Sequence, residues 1–293
     1  MDLVVRCANL PVPGETIIAD SSSEIPGGKG ANQAVASARA GGDVTMIGRV
    51  GDDAFADRLL ENLRREHIDT GNVIRTEHCA SGIAVVAVEA SGENAIMVVP
   101  GSNGCVTPED VEAAAGVIKK SDLLLLQLEI PLDAVLAAIE IASAAGVRVI
   151  LDPAPMPSSL PDEMLNVDII CPNQSEASAI VGRPIETVDD AQGCVSMLHD
   201  RGAKNLIITL GGDGAVVSDG ISVDWIQPWK ITPVDTTAAG DAFAGALAVR
   251  LAEGASLVVA TRFACAAGAI AATREGAQPG MPTRTEIENL IAS

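Results

Sequence analysis

Two short segments carry residue types that could do chemistry. The first is PGGKGANQAVASARAGG, residues 26–42. Glycines before a helix let backbone N–H groups approach a ligand closely, and Gly28 and Gly30 flank Lys29. Lys29 and Asn32 can then hydrogen-bond hydroxyl groups. The GxxxxGK[ST] spacing of a P-loop is absent. Taken alone, the segment also fits a flexible glycine turn that caps a helix. The second is VDTTAAGDAFAGAL, residues 234–247. Its small residues Ala238, Ala239 and Gly240 predict a turn, with a helix starting near Gly240. The N–H groups of such a turn point at one anion, which suits charge developing on a transferring phosphoryl group. Asp241 stands beside them and can accept the proton of an attacking hydroxyl. A helix dipole favours a carboxylate there in any case, so the segment by itself leaves both readings open.

Hydropathy patterning shows which elements must position these segments. Residues 43–50 read as a strand followed by a helix over 53–66. Residues 122–130 read as a buried strand followed by a helix over 132–145, and 147–155 and 167–173 as further strands. Continuous runs of Leu and β-branched residues between helices predict parallel strands covered on both faces. Residues 205–218 predict two strands joined at a tight glycine turn, a hairpin. Residues 14–25 and 82–99 alternate apolar and polar, with a turn at SGEN, and predict a small separate antiparallel sheet suited to act as a lid. Residues 239–293 read as mostly helical and Ala-rich. No repeat, low-complexity tract or linker divides the chain. The expectation is one α/β domain over 1–293, a mostly parallel central sheet flanked by helices with a small antiparallel β lid.

Composition removes several classes of function. The 293 residues are 48% hydrophobic, 20% charged and only 2% aromatic, with no Tyr, so a base-stacking platform for nucleic acid has almost nothing to be made from. The net charge of −20 repels nucleic acid and anionic membranes. It also repels ATP, so a phosphate site here must rely on local dipoles, a few basic side chains and a metal ion. The cysteines at 7, 79, 105, 171, 194 and 265 form no CxxC pair, and none of His67, His78 and His199 stands at ligand spacing, which argues against zinc. No apolar run is long enough to span a bilayer and the N-terminus has no signal-peptide pattern, so the cytoplasm is expected. No GxGxxG follows a strand, which argues against a nicotinamide-dependent oxidoreductase.

The two segments together resemble the paired signature of the PfkB carbohydrate kinases, and GGKGANQA most resembles the form found in ribokinases. The likeness runs along nearly the whole chain, through PVPGET (11–16), LLLLQLEIP (123–131), DPAP (152–155), PNQSEA (172–177), ITLGGDG (208–214) and RFACAAGAIAATREGAQPGMP (262–282). It implies a ribokinase-like fold and ATP-dependent phosphorylation of D-ribose at the 5-hydroxyl to D-ribose 5-phosphate, with Mg²⁺ and K⁺ as cofactors and a homodimer. A kinase of deoxyribose, another pentose or a nucleoside stays open, as does a non-catalytic sugar or nucleotide sensor.

The resemblance also implies roles. Asp241 matches the general base, and Ala238, Ala239 and Gly240 match the anion hole. Asp2, Gly28, Lys29, Gly30, Asn32 and Glu129 match positions that hold the sugar. Asn173 and the run Thr209, Leu210, Gly211, Gly212, Asp213 and Gly214 match the nucleotide site, with Gly240 and Asp241 at its phosphate end and Cys265 where adenosine is contacted. Glu176 matches a residue linked to Mg²⁺ and phosphate. Asp235, Thr237, Ala271, Arg274, Gly276 and Gly280 match a monovalent-cation loop. Simpler readings stand beside some of these: Asn173 caps the helix that follows, and Arg274 is a surface cation. One departure is visible. The family's first central strand ends in an Asn just before the position of Asp2, whereas this chain opens at MDLVVR. About one strand, on the order of 10 residues, is missing. The expectation is that Met1 is internal to a longer protein and that the central sheet lacks a segment.

Overall fold

The computed structural model describes residues 1–89, 91 and 94–293. The chain begins with β1 (Asp2–Cys7), β2 (Ser21–Ile25), α1 (Lys29–Arg39), β3 (Thr45–Val50), α2 (Ala54–Arg65), β4 (Asp69–Arg75), β5 (Ile83–Glu89) and β6 (Asn94–Val99). It continues through α3 (Pro108–Ala113), α4 (Ala115–Ile118), β7 (Leu123–Leu126), α5 (Leu132–Ala145), β8 (Arg148–Leu151), β9 (Ile169–Ile170), α6 (Gln174–Val181) and α7 (Val188–Asp200). It ends with β10 (Asn205–Thr209), β11 (Ala215–Ser218), β12 (Val223–Ile226), α8 (Ala239–Ala252), α9 (Leu257–Ala271), α10 (Ala277–Gly280) and α11 (Arg284–Ala292).

The main sheet has six strands in the order β12-β11-β10-β9-β8-β7. From β7 to β10 the neighbours are parallel, and β10, β11 and β12 are antiparallel. Side chains alternate between two cores, as the pleat requires. Val149, Leu151, Ile170, Leu206 and Ile208 enter the larger core with α5, α6 and α7. Ile150, Ile169, Ile207, Ala215 and Val217 enter another with α8 and α9. Helices cover both faces, which is why these strands read as continuous apolar runs.

Several strands stop short of their predicted ends. The run 122–130 is strand only over Leu123–Leu126, 147–155 only over Arg148–Leu151, and 167–173 only over Ile169–Ile170. The polar tails Gln127, Glu129, Asp152 and Asn173 lie beyond the ladder, at the carboxyl ends of parallel strands, where ligands bind in open α/β sheets. The helix over 132–145 falls where it was expected, between Pro131 and a left-handed Gly146.

A second sheet pairs β3 with β4 in parallel, and a third has the order β2-β1-β5-β6. β1 is antiparallel to β2 and parallel to β5, and β5 and β6 are antiparallel. Of residues 14–25 only Ser21–Ile25 is strand, because its register with β1 ends at the Arg6–Ser21 pair. The turn expected at SGEN lies partly outside the described residues. Asp2–Cys7 joins this third sheet and does not lie between β3 and β7, which do not pair with each other. The residues of β3 and β7 are accordingly half-buried, apart from Val50 and Leu126, whereas Val149, Ile150 and Leu151 of β8 are fully buried.

Candidate active site

The starts of α1 and α8 meet above the carboxyl ends of β7 and β8. Glycines make the meeting possible. Gly28, which caps α1, has φ 93°, a conformation open to glycine. A Cβ on Gly27 would lie 2.0 Å from a carboxylate oxygen of Asp2. A Cβ on Gly245 would lie 2.6 Å from both the Ala36 Cβ and the Gln33 carbonyl oxygen, so α1 and α8 touch backbone to backbone. Ser37 seals this crossing by donating its hydroxyl to the carbonyls of Gln33 and Gly245.

Asp241, 5% exposed, lies in the first turn of α8. Asn32 Nδ2 donates to its Oδ2 at 2.9 Å, and Gln33 Nε2 donates to its Oδ1 at 3.0 Å. The same Gln33 nitrogen donates to Asp152 Oδ2 at 2.6 Å. Ala238 adopts a left-handed conformation at φ 59°, and its carbonyl accepts from Ala242. The Ala239 N–H is bound to the Thr236 carbonyl at 3.2 Å. The N–H groups of Ala238, Gly240 and Asp241, at the start of the helix, have no acceptor among the described residues and remain as donors for an anion.

Glu129 Oε2 accepts the Lys29 backbone N–H at 2.8 Å, tying the loop after β7 to α1. Burial pushes the carboxyls of Asp241, Asp2, Glu129 and Glu176 above their ordinary values. Burial raises Asp152 most clearly, to about 7, with Lys29 opposing it and Asp241 and Glu176 adding to it. Burial opposes the charge of Lys29, but Asp241, Asp152, Glu129 and Glu176 around it outweigh that and raise its pKa. No carboxylate of the described residues lies within ion-pair distance of its ammonium group. The arrangement is a carboxylate-rich pocket with one half-buried lysine, suited to bind hydroxyls and to need a cation when phosphates enter.

Asn173 caps α6, accepting from the Glu176 N–H at 2.9 Å while Glu176 Oε2 accepts the Asn173 N–H at 2.8 Å. The capping interpretation of Asn173 therefore holds, and the same box fixes Glu176. Asn173 also bridges to Thr209. Leu210 donates to the Gly214 carbonyl across a single turn formed by Gly211, Gly212 and Asp213, and a Cβ on Gly214 would meet the Ile226 carbonyl at 2.0 Å. Cys265 lies on α9, and burial pushes its thiol up to about 12.

The segments matched to a cation loop are brought together by Asp235. Its Oδ1 accepts from Thr237 N and its Oδ2 from Gly276 N, both at 2.9 Å. The Asp235 N–H donates to the Ala272 carbonyl, and Gly280 packs near the Ala271 carbonyl. The Arg274 side chain turns away and pairs with Glu286, so only its backbone belongs to this group.

Several residues here have no counterpart in the sequence reading: Gly27, Gln33, Gln127, Asp152 and Gln278. Gln33 and Asp152 stand inside segments singled out for resemblance, GGKGANQA and DPAP, but amides and a lone aspartate carry no spacing signature. Gln127 and Gln278 also lie in such segments, LLLLQLEIP and RFACAAGAIAATREGAQPGMP, and their roles become visible only through contacts across the fold.

A family model for the pfkB family of carbohydrate kinases matches residues 1–284. The chain is 38% identical over 281 residues to a ribokinase of Staphylococcus aureus, covering 95% of this chain and 92% of that one. It is 35% identical over 293 residues to a deoxyribokinase of Salmonella typhi, covering 100% and 96%. The fold matches an Arabidopsis thaliana ribokinase solved in complex with ribose and ATP, at a TM-score of 0.91 and 33% identity over 100% of this chain and 96% of that one. The chain belongs to the PfkB family of carbohydrate kinases.

Proposed function

We propose that this chain transfers the γ-phosphoryl group of ATP to the 5-hydroxyl of D-ribose, releasing ADP and D-ribose 5-phosphate. The observation that supports it most is Asp241, a buried carboxylate held by two amides at the start of α8, next to the free N–H groups of Gly240 and Asp241. The carboxylate accepts the hydroxyl proton as the new O–P bond forms, and burial raises its basicity toward that task. The helix start offers its N–H groups and dipole to charge on the transferring group. Lys29, Asn32, Asp2 and Glu129 offer donors and acceptors for several sugar hydroxyls at once. Asn173 and the turn from Thr209 to Gly214, with Cys265 on α9, form the nucleotide side of this reading. The strands β1, β2, β5 and β6 act as the lid, with Asp2 carrying that sheet down to Gly27 at the start of α1.

Mg²⁺ suits the donor set. Glu176 and Asp152 supply hard oxygen ligands, and Mg²⁺ is usually held by one or two carboxylates plus substrate phosphates. When bound it neutralises charge on those phosphates. K⁺ fits the carbonyl-rich segments gathered by Asp235. A second copy of the chain covers β6, an edge strand on which Ile96, Met97, Val98 and Val99 are all exposed. The free thiols suit a reducing cytoplasm.

The test is ADP release with ribose, 2-deoxyribose, other pentoses and nucleosides, for the wild type and Asp241→Ala. Ribose should give the highest kcat/KM. A missing hydroxyl leaves buried groups unpaired at about 1–3 kcal/mol. The variant should lose on the order of 10²–10⁴ in turnover. An equal kcat/KM for 2-deoxyribose would move the assignment to the deoxyribokinase reading, which the Salmonella typhi relative makes the chief rival. No turnover with any sugar would leave a sensor.

A further inference from the structure

Both oxygens of Asp241 are held by amides, and both amides are themselves held by other amides. Asn32 donates from Nδ2 to Asp241, while its Oδ1 accepts from Gln278 Nε2 at 3.1 Å. Gln278 in turn accepts on Oε1 from Asn62 Nδ2 of α2 at 2.6 Å. On the other side, Gln33 donates to Asp241 and Asp152 while its Oε1 accepts from Gln127 Nε2. Gln33 is fully buried and Gln278 is 4% exposed, so neither has water as an alternative partner.

A primary amide has a donor end and an acceptor end of nearly the same shape. Left free, Asn32 or Gln33 could turn its oxygen toward the carboxylate, where two acceptors repel and the carboxylate loses its support. The outer amides oppose that turn, because each presents its nitrogen to the inner oxygen, and Gln278 is fixed in that sense by Asn62 on its own Oε1. We propose that Gln33, Gln127 and Gln278 are positioning residues that lock the two inner amides donor-end inward and so hold Asp241 in one orientation toward the acceptor hydroxyl. This deepens the kinase reading above and rests on it only for the role of Asp241.

The relay also has a geography. Gln278 lies in α10, and its carbonyl, with that of Met281, is clamped by Arg39 at the end of α1 at 3.0 and 2.8 Å. Arg39 is held in turn by both oxygens of Glu66. One arm of the lock therefore runs from the segment after Gly276 to the base, and the other from the loop after β7. The charged groups facing Asp241 are Lys29 from α1, Asp2 from β1, Glu129 after β7 and Asp152 after β8.

The decisive measurement is the titration of the Asp241 carboxyl carbon by NMR in ¹³C-labelled protein, assigned by its loss in Asp241→Asn. Donors to a carboxylate lower its pKa. In Gln33→Met, Gln127→Met and Gln278→Met the Asp241 titration should therefore move to higher pH than in the wild type, most in Gln33→Met. In the kinase assay the acid limb of kcat/KM should move the same way, kcat should fall on the order of 10- to 100-fold for Gln33→Met, and the sugar KM should stay within about twofold. Gln127 is half-buried, so its variant keeps the test alive if a fully buried position fails to fold. Asp241 titrating in all folded variants as in the wild type overturns the proposal, as does a fall in kcat with an unmoved acid limb. A wild type inert toward every sugar would overturn the ribose reading alone, because the titration decides the amide lock without turnover.

Discussion

Burial lifts the Asp152 carboxyl from its ordinary 3.8 to about 7, with Asp241 and Glu176 adding to it against Lys29. Between about pH 4 and 7 the native protein keeps this proton while the unfolded chain releases it. The native state then binds more protons, so its stability falls as pH rises through that window and levels off above it. Asp152→Asn keeps an oxygen for Gln33 and removes the charge. It should melt higher than the wild type at pH 8, by a stability on the order of 2–4 kcal/mol, and the gap should close near pH 4. Calorimetry without nucleotide or divalent ions measures this, and equal melting at pH 8 would overturn it. At this scale the sequence exposed Lys29, Asn32, Glu129 and Asp241, which meet in one place. It hid the glutamines, because their roles come from partners far along the chain: Gln127 meets Gln33 at a separation of 94, and Gln278 meets Asn32 at 246.

Helices and strands set how closely those residues meet. The α1–α8 crossing depends on Gly245, where a Cβ would fall 2.6 Å from the Gln33 carbonyl oxygen and 2.8 Å from Ser37 N. Gly245→Ala must push backbone against backbone. The expected cost is about 1–3 kcal/mol, which outweighs the roughly 1 kcal/mol that alanine gains in a helix. Because the displaced turn carries Gln33, kcat should fall along with the melting temperature. A variant with wild-type turnover would show that the crossing has slack. The loops gathered by Asp235 support a second expectation. K⁺ should raise turnover and Li⁺ should replace it poorly, with equal rates in K⁺-free and K⁺-rich buffer as the contrary result. The periodicity marked α5 to the residue, because Pro131 and Gly146 punctuate it. It ran β7, β8 and β9 too long, because apolar residues such as Leu128 and Ile130 continue past the ladder in loops that still pack on the core. The resemblance set DLVVRC after the family's first central strand, and β1 accordingly joins β2 and β5 and does not lie between β3 and β7.

At the scale of the molecule, β6 presents an open edge with Ile96, Met97, Val98 and Val99 exposed on a chain of net charge −20. Such an edge invites pairing, and like charge elsewhere discourages nonspecific contact. Sedimentation should give twice the mass of the 29.9 kDa chain, and Met97→Glu should shift it toward the monomer. A wild type that sediments as a monomer at tens of micromolar would remove the second copy from the lid.

The bonds that hold Asp241 join residues 209 and 208 positions apart. A ribosome adding about 5–20 residues per second reaches Asp241 roughly 10–40 s after Asn32 leaves the peptidyl transferase centre. During that interval Asn32 and Gln33 have no carboxylate from α8 to bind, and the Ala-rich face of α1 has no α8 to pack against. The active site is thus among the last parts of the molecule that synthesis allows to form, and a nascent chain stalled before α8 carries α1 as an unpaired apolar helix, the kind of surface that chaperones hold until the remainder arrives.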